Sequence, residues 1–305
     1  MTPLKNVIVV GASKAGLANL GSFVVDALKA DGAFNVTVLS RKSSSGAVPE
    51  NVRVVKVDDA YPQDELQQAF EGQDAVVMTT SFHVYGQEGK FIDAAVKAGV
   101  RRFIPSDFGS NTNNKNTLAM FPMMGAKARV VGELKAKEAS GLTWTAICTG
   151  MFTDVTLTSG FLGFNLKEHK ATIWDDGNAK FSSMSRENVG RAVVGVLKHP
   201  EATANKYVYV SSFETSMSEL LAALEKVQQT KYTVSYTRLE DEVTDGKAKL
   251  AAGDMMKAGK LVIAANLLPD YGNNFAEEER LWNEDLGVPR EDVETVVTRA
   301  VNAID

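Results

Sequence analysis

Several features that define other classes of protein are scarce or absent in this 305-residue sequence. It has one cysteine, Cys148, so no internal disulfide can form, and such sparing use is typical of a reducing compartment. The longest apolar runs, such as VIVV and DAVVM, are far too short to cross a bilayer. The first residues, MTPLKN, lead directly into a predicted strand without a charged and apolar leader. We therefore expect a cytoplasmic protein that does not bind a membrane.

The sequence also has fewer positive than negative charges and few histidines. The 33 Lys and Arg against 38 Asp and Glu leave a net charge of −5, which argues against a nucleic-acid surface, because such a surface needs clustered cations. The three histidines, His83, His169 and His199, have no ligand partners at short spacing, so we predict no metal site. The expected partner is a small-molecule substrate, and the chain is expected to be a monomer or a homodimer.

What the sequence does have, over its first half, is a regular alternation of short apolar runs with segments of helical periodicity. The apolar runs are NVIVV, NVTVLS, VRVVKV, DAVVMTT, RRFIPS and TWTAICTG. Nearly continuous apolar runs are typical of strands covered on both faces, and their alternation with helices indicates βαβ units. We predict an α/β fold with a Rossmann-type, doubly wound, mostly parallel sheet.

Beyond Gly150 the pattern changes. Residues 171–185 have the pattern of a hairpin with Asp176 and Gly177 in its turn, and helical segments dominate from about Ser216 onward. These helices predict a smaller, mainly helical substrate lobe that closes over the carboxyl edge of the sheet, where open α/β folds bind ligands. The predicted boundaries are 1–153 with 171–212 for the Rossmann domain, and 154–170 with 213–305 for the smaller lobe.

The stretch VVGASKAGLANLG, residues 9–21, joins the first strand to the first helix. A strand, a glycine-rich turn and a helix N-terminus form an anion site whose backbone N–H groups point at a pyrophosphate. Gly11 would allow the tight turn, Gly21 would let helix and strand pack closely, and Gly16 or Ala18 would take the middle role. No Gly-Lys-Ser/Thr ends the series, which excludes a Walker A loop. The alternative is an ordinary glycine-containing turn.

The end of the second strand indicates which dinucleotide is bound. A cofactor with a free ribose 2′-hydroxyl needs an Asp or Glu there, whereas this sequence has Ser40, Arg41 and Lys42. Arg offers a planar fork and Lys a point charge, and both suit a 2′-phosphate. The alternative is a solvated basic loop, but the cations lie at the discriminating position. The sequence therefore predicts NADPH/NADP+ as the cofactor.

Two stretches carry a family resemblance. RRFIPSDFG and GAKARVVGELKAKEASGLTWTAICTGMF resemble the NmrA-like and isoflavone-reductase-like group of atypical short-chain reductases, especially its fungal members. The pattern of that group falls here on residues 102–109, on Lys127 and on residues 145–152. The resemblance extends over essentially the whole chain and implies a Rossmann-type domain, NADPH binding and a substrate cleft under a small C-terminal lobe. The stretched glycine loop departs from the compact G-x-x-G-x-x-G of the family.

The resemblance also implies a role for one lysine. No Tyr-x-x-x-Lys dyad occurs in the sequence. In the reductases that this chain resembles, a lysine at the position of Lys127 acts as general acid/base or holds the nicotinamide ribose. A lysine can move protons when partial burial and nearby positive charge lower its pKa. The alternative is a solvated helix lysine, like Lys135 and Lys137, but the position after PSDFG favours the catalytic or ribose-binding role.

Further candidates follow the glycine loop and the ends of the strands. The predicted cofactor contacts are Gly11, Ser13, Gly16, Asn19, Leu20, Gly21, Ser40, Arg41, Lys42, Thr79, Thr80, Ser81, Gln87, Ser106, Lys127, Gly150, Met151 and Phe152. The predicted substrate contacts are His83, Asp107, Phe108, Asp154 and Phe161. The alternative for Ser106 is a purely structural role, and the alternative for Asp154 is that it caps a helix.

Together these residues predict an NADPH-dependent reductase of an aromatic or polyketide-like small molecule, in secondary metabolism. Hydride would pass to an enone, imine or quinone-methide carbon, with Lys127 as general acid/base. Two alternatives stay open. One is an NmrA-type regulator that senses NADP(H) without turning it over, and the other is a non-redox isomerase or dehydratase on the same scaffold.

Overall fold

The structure is a computed structural model that describes residues 3–13, 19–47, 49–80 and 84–304. The strands are β1 (Asn6–Val10), β2 (Asn35–Arg41), β3 (Arg53–Val57), β4 (Ala75–Met78), β5 (Arg102–Ile104), β6 (Thr143–Cys148), β7 (Met151–Phe152), β8 (Phe164–Asn165), β9 (Lys170–Trp174), β10 (Phe181–Met184), β11 (Lys206–Tyr209), β12 (Phe213–Thr215) and β13 (Thr233–Thr237). The helices are α1 (Leu20–Asp31), α2 (Gln63–Phe70), α3 (Glu88–Lys97), α4 (Lys115–Met120), α5 (Pro122–Ala136), α6 (Thr153–Thr158), α7 (Arg186–Lys198), α8 (Met217–Gln228), α9 (Leu239–Ala251), α10 (Met255–Ala258), α11 (Lys260–Leu267), α12 (Phe275–Glu278), α13 (Asn283–Leu286) and α14 (Val293–Asn302). Within the described ranges, no helix combines the length and the apolar character that a membrane span requires.

The main sheet has the strand order β11-β6-β5-β4-β1-β2-β3, and each of its strands runs parallel to its neighbours. From β1 the chain builds β2 and β3 on one side and then returns to place β4 on the other. Outside the carboxyl ends of such a central pair, open α/β sheets form a crevice that binds ligands. The predicted doubly wound, mostly parallel Rossmann-type sheet is therefore confirmed.

Alternate residues of the central strands pack on opposite faces of this sheet. In β1, Val7 and Val9 belong to a buried core with α1 and α7, whereas Ile8 and Val10 belong to a separate core with α2, α3 and α5. Strand side chains point alternately to the two faces, so a strand covered on both needs an apolar residue at nearly every position. This requirement explains the continuous apolar runs in the sequence.

A third buried core lies outside the main sheet. It is formed by apolar residues of α6, β9, α8, α11 and α14, and the small sheet β13-β9-β8 packs with it. Helix α7 and strand β11, by contrast, pack with the main sheet. The boundaries given above for the two domains stay a prediction.

The predicted hairpin over residues 171–185 is wrong. The turn itself forms, since Gly177 has a φ of 73° and donates its N–H to Trp174 O at 3.0 Å. The two strands that it joins do not pair, however: β9 pairs with β13 and β8, whereas β10 pairs with β12 and β7. Asp175 N donates to Thr237 O at 2.8 Å, so a strand distant in the sequence takes the place of the expected partner.

Candidate functional site

A cleft of about 710 Å³ crosses the carboxyl ends of β1, β2, β4 and β5. Its volume lies in the range of pockets that enclose small ligands and cofactors. The predicted site residues that line it are Gly11, Ser13, Asn19, Leu20, Ser40, Arg41, Thr79, Thr80, Gln87, Ser106, Phe108, Lys127 and Phe152. The structure thus brings together side chains that follow four different strands, as the topology of a parallel sheet requires.

Other predicted site residues do not line the cleft. These are Gly21, Lys42, Asp107, Gly150, Met151, Asp154 and Phe161. Three more predicted residues, Gly16, Ser81 and His83, lie outside the described residues. For Gly150 the backbone explains the residue type, because it has a φ of 67° and a Cβ there would lie 2.0 Å from Ser182 O. Gly150 is therefore required by the close approach of β10.

The first strand and the first helix meet at two glycines. Gly11 has a φ of 92°, a left-handed conformation that favours glycine. A Cβ at Gly21 would lie 2.6 Å from Ala12 Cα and 2.5 Å from Thr79 Oγ1, so only glycine lets α1 begin this close to β1. As a result, the N-terminus of α1 opens beside the cleft, where its partial positive charge favours an anion.

The start of α1 is held by an arginine from another helix. The Asn19 side chain does not cap α1; its Oδ1 accepts a hydrogen bond from Arg186 Nη1 at 2.6 Å. Arg186 Nε also donates to Asp154 Oδ2 at 2.6 Å, and its guanidinium lies 4.6 Å from the centre of the Phe23 ring. Burial raises the pKa of Asp154, and the charge of Arg186 opposes that rise. The structure thus places Asp154 in an ion pair.

At the end of β2, two neighbouring cations take different directions. Arg41 lines the cleft, and its Nη1 lies 3.5 Å from Asp59 Oδ2. Lys42 Nζ instead donates to Glu65 Oε1 on α2 at 2.8 Å. Adjacent side chains at the end of an extended strand point to opposite sides. The alternation of side chains along β2 therefore indicates that only one of the two cations faces the cleft. The predicted phosphate contact of Lys42 stays a prediction that this geometry does not favour.

Several residues that line the cleft were not singled out from the sequence. They are Val10, Ala12, Leu39, Ser43, Ser44, Ser45, Gly46, Asp59, Tyr61, Val84 and Tyr85. Ser43 donates its N–H to Asp59 Oδ1 at 3.1 Å and its hydroxyl to Asp59 Oδ2. Asp59 and Tyr61 follow β3, so the rule that ligands bind at the carboxyl ends of strands would have identified them.

The opposite end of the cleft contains Lys127, on α5. Its Nζ donates to Phe108 O at 2.9 Å, and a Cβ at Gly109 would lie 3.6 Å from the same atom. Ser106 Oγ donates to Thr80 O at 2.8 Å, which ties the segment after β5 to the segment after β4. The ammonium is thus held against the backbone at the end of β5, half-buried, with N–H groups still available to a ligand.

Asp107 points away from the cleft into the protein interior. It is 1% exposed, and its Oδ2 accepts a hydrogen bond from Thr112 Oγ1 at 2.6 Å. Burial raises the pKa of Asp107 to about 6, and the charge of Lys127 and the bond from Thr112 oppose that rise. A side chain this deeply buried does not reach a ligand in the cleft, so the structure does not bring Asp107 to the predicted substrate position.

The raised pKa of Asp107 predicts a pH-dependent stability. Between its ordinary value of 3.8 and about 6, the folded state binds the proton that the unfolded chain releases. This contribution to stability is therefore present at low pH and is lost as the pH rises through about 6. From pH 5 to pH 7, the unfolding free energy of Asp107→Asn should gain about 1 kcal/mol relative to wild type. Urea unfolding of both proteins at pH 5 and at pH 7 measures this difference in unfolding free energy.

The exposed Asp93, which pairs with Lys137, provides the control for that measurement. Asp93→Asn should leave the pH dependence of the unfolding free energy as in wild type. If Asp107→Asn and wild type keep a constant difference from pH 5 to pH 7, the buried carboxyl does not titrate in this range.

No group of three or more His, Cys, Asp or Glu side chains with the geometry of a metal site occurs in the described ranges. The walls of the cleft change in character along its length, from hydroxyls and a guanidinium beside β2 to Phe108, Phe152 and Lys127 at the other end.

The sheet order and the cleft outside its central strands define the class of Rossmann-type α/β proteins. The profile of the NmrA-like family matches residues 3–265, and the chain belongs to this family. The oxidoreductase aprR of Aspergillus flavus is 39% identical over 292 residues, which are 95% of this chain and 97% of the relative. The chain is thus an oxidoreductase of the NmrA-like, isoflavone-reductase-like group, as the resemblance implied.

Solved structures of this group share the fold. An isoflavone reductase crystal structure superposes with a TM-score of 0.75 at 19% identity, over 97% of this chain and 99% of that one. The structure of AtPrR2 with NADP+ and (+)pinoresinol superposes with a TM-score of 0.76 at 19% identity, over 98% of this chain and 100% of that one. The whole described architecture, including the part beyond the main sheet, is therefore that of these reductases.

Proposed function

We propose that the cleft binds NADP(H) and that the protein reduces an aromatic or polyketide-like small molecule with it. The observation that carries this proposal is a single cleft with Arg41 and the serines after β2 at one end and Lys127 at the other. Such a cleft suits an elongated, anionic dinucleotide, because the reactive nicotinamide ring of the dinucleotide lies far from its 2′-phosphate. The cytoplasmic location and the monomeric or homodimeric state stay predictions.

The residues present fit such a cofactor. Arg41 and Ser43 would hold the 2′-phosphate, because a guanidinium and a hydroxyl donate to phosphate oxygens. The turn at Gly11 and the N-terminus of α1 would hold the pyrophosphate. Thr79 and Thr80, Gln87, Ser106, Phe152 and Lys127 line the remaining length toward the nicotinamide end. When bound, NADPH supplies a hydride to an electrophilic carbon of the substrate.

The protein itself contributes a proton donor to the chemistry and holds the substrate in place. Lys127 has three N–H groups, and the bond to Phe108 O, its one hydrogen bond to the described residues, leaves two of them for a substrate oxygen. As that oxygen gains negative charge, the ammonium stabilises it and gives up a proton from Nζ. A positioned acid of this kind contributes about 100- to 10,000-fold to a rate.

The lining near Lys127 suits a flat, apolar substrate. Phe108 and Val84 are buried, and Phe152 and Tyr85 are half-buried, so their rings and methyl groups form the wall there. Aromatic side chains contribute large apolar contact area and stack on other rings. The AtPrR2 structure, which shares this fold, is a complex with NADP+ and (+)pinoresinol. An enone, imine or quinone methide conjugated to an aromatic ring fits both this lining and the acid.

Equilibrium titration tests the cofactor assignment. NADPH should bind at least about 10-fold more tightly than NADH, because a phosphate that accepts charge-assisted hydrogen bonds adds about 1.5–3 kcal/mol. Both titrations are measured through the energy transfer from the tryptophans to the reduced nicotinamide. Equal affinities for NADPH and NADH would contradict the assignment of Arg41.

A panel of aromatic enones, imines and quinone methides then tests the reaction, with NADPH oxidation followed at constant pH. Oxidation that depends on one member of the panel and yields its reduced product supports a reductase. Tight NADP(H) binding without turnover of any member would favour the sensing regulator. Product that forms equally without NADPH would favour the isomerase or dehydratase.

A further inference from the structure

Helix α1 begins beside the cleft without the side-chain cap that its sequence offers. Asn is among the most favoured residues before a helix, where an extended backbone lets its side-chain oxygen accept from the N–H of the second or third helical residue. Asn19 instead has a φ of 29° and a ψ of 37°, and its side chain makes no such bond. Ser22 N donates to Asn19 O at 3.1 Å, but no described residue accepts a hydrogen bond from the N–H of Leu20 or Gly21. These two donors therefore remain for a ligand in the cleft.

Arg186, the first residue of α7, engages the oxygen that would otherwise cap α1. Its Nη1 donates to Asn19 Oδ1 at 2.6 Å, and its guanidinium lies 4.6 Å from the centre of the Phe23 ring. Residues four apart share one face of a helix, so Arg186 packs along a single face of the first turn of α1. A left-handed backbone costs free energy and persists only where the surrounding structure holds it. The hydrogen bond from Arg186 is such a hold on Asn19.

Asp154 of α6 orients Arg186 in turn. Arg186 Nε donates to Asp154 Oδ2 at 2.6 Å, and Asp154 is only 9% exposed. Its other oxygen, Oδ1, is buried, and no described residue donates a hydrogen bond to it. A buried ion pair with an unpartnered oxygen contributes little to stability, because the loss of hydration offsets the attraction between the charges. What the pair does is fix the plane of the guanidinium, so that Nη1 faces Asn19.

We propose that Arg186 is a positioning residue for the pyrophosphate end of the cleft: it holds the Asn19 side chain away from the first turn of α1, so that the N–H groups of Leu20 and Gly21 stay available to the pyrophosphate. Without Arg186, Asn19 returns to an extended backbone, and its oxygen caps α1 in competition with the cofactor. This role deepens the proposed function and rests on it, because it concerns the pyrophosphate of bound NADP(H).

The test compares three ligands by calorimetric titration of wild type and Arg186→Met. NADPH and NADH both carry the pyrophosphate, so the variant should weaken both by the same factor, about 5-fold, which is the strength of a competing helix cap. Adenosine 2′-monophosphate has the 2′-phosphate but no pyrophosphate, and its dissociation constant should change less than about 2-fold. A loss confined to NADPH overturns the proposal, and so does an equal loss for adenosine 2′-monophosphate, which general damage to the cleft would cause.

A double-mutant cycle shows whether Arg186 acts through Asn19. Whatever Asn19→Ala does by itself, adding Arg186→Met to it should change the NADPH affinity less than about 2-fold, because no side chain is left to cap α1. If the loss of about 5-fold persists in the Asn19→Ala background, the guanidinium acts on the cofactor by its own charge, and the proposal is wrong.

Arg191→Met is the matched control, since it removes the same charge from α7. Arg191 Nη1 donates to Asn188 Oδ1 at 2.6 Å, and Arg191 does not line the cleft, so all three dissociation constants should stay near wild type. An equal loss in this control would assign the effect to net charge and overturn the proposal.

Circular dichroism follows the folding of each variant, and Arg186→Gln, whose side chain is too short to span Asp154 and Asn19, is a second test variant. If neither Arg186 variant folds while Arg191→Met does, Arg186 is a requirement of the fold and the proposal is overturned. Failure of wild type to bind NADPH removes the proposed function and this role with it. Normal binding by wild type, with unchanged affinities in Arg186→Met, removes only the role of Arg186.

Discussion

Lys127→Met is expected to lower turnover by about 100- to 10,000-fold while the affinity for NADPH changes only a few-fold. The size of the loss is that of a positioned general acid, because methionine keeps most of the length of the side chain but has no proton to give. Steady-state rates with a substrate that wild type reduces, and NADPH titration of the same preparations, measure the two effects separately. A loss in kcat without a loss in binding is the mark of an interaction made only in the transition state.

Lys135→Met is the matched control on the same helix. The Lys135 Nζ lies 5.6 Å from the centre of the Trp144 ring and does not line the cleft. Its replacement should leave both turnover and NADPH affinity close to wild type. Full turnover by Lys127→Met would remove the acid from the proposed reaction. A large loss of NADPH affinity in that variant, with the rate at saturation unchanged, would instead assign Lys127 to the ribose.

Arg41→Glu is expected to weaken NADPH binding by about 100-fold and NADH binding only slightly. Hydrogen bonds to a charged group contribute about 1.5–3 kcal/mol, and a carboxylate in place of the guanidinium also repels the phosphate. Asp59, which pairs with Arg41 at 3.5 Å, would add to that repulsion. The measurement is the ratio of the two dissociation constants, because NADH lacks the phosphate and so reports any general damage to the cleft.

Lys42→Glu provides a control with the same change of charge one residue away. Since Lys42 Nζ pairs with Glu65 on the exposed surface of α2, its replacement should change the NADPH affinity less than about 3-fold. If Lys42→Glu and Arg41→Glu weaken NADPH equally, the loop acts through its net charge, and both cations are phosphate contacts as the sequence predicted. If neither changes the affinity, the 2′-phosphate is not bound at the end of β2.

Much of the fold and part of the site could be predicted because they depend on short windows of sequence. The apolar runs identified the strands of the main sheet, and the order of strands and helices identified its parallel topology. Because the carboxyl ends of parallel strands meet at one edge, the residues after β1, β2, β4 and β5 were expected to converge, and most of those described do line one cleft.

Which of two neighbouring side chains at the end of a strand faces the cleft could not be predicted in the same way. Arg41 and Lys42 are equal in charge and adjacent in sequence, yet only Arg41 lines the cleft, because Glu65 on α2 pairs with Lys42. Asp107 follows β5 like Ser106, yet its carboxylate packs inward against Thr112. Each outcome depends on a partner contributed by a neighbouring helix or loop.

Periodicity was sufficient for the α/β class and the parallel order, and glycine positions with the charges after β2 were sufficient to propose a dinucleotide site, because each is a property of consecutive residues. The tertiary structure alone decided that β9 and β10 join different sheets, that Asp59 holds Ser43 beside Arg41, and that the Asp107 carboxylate is buried. The pairings among them join residues 16 to 63 positions apart, as in Ser43–Asp59 and Lys170–Thr233, and their energies depend on burial. Burial is a property of the packed chain, and no window of neighbouring residues specifies it.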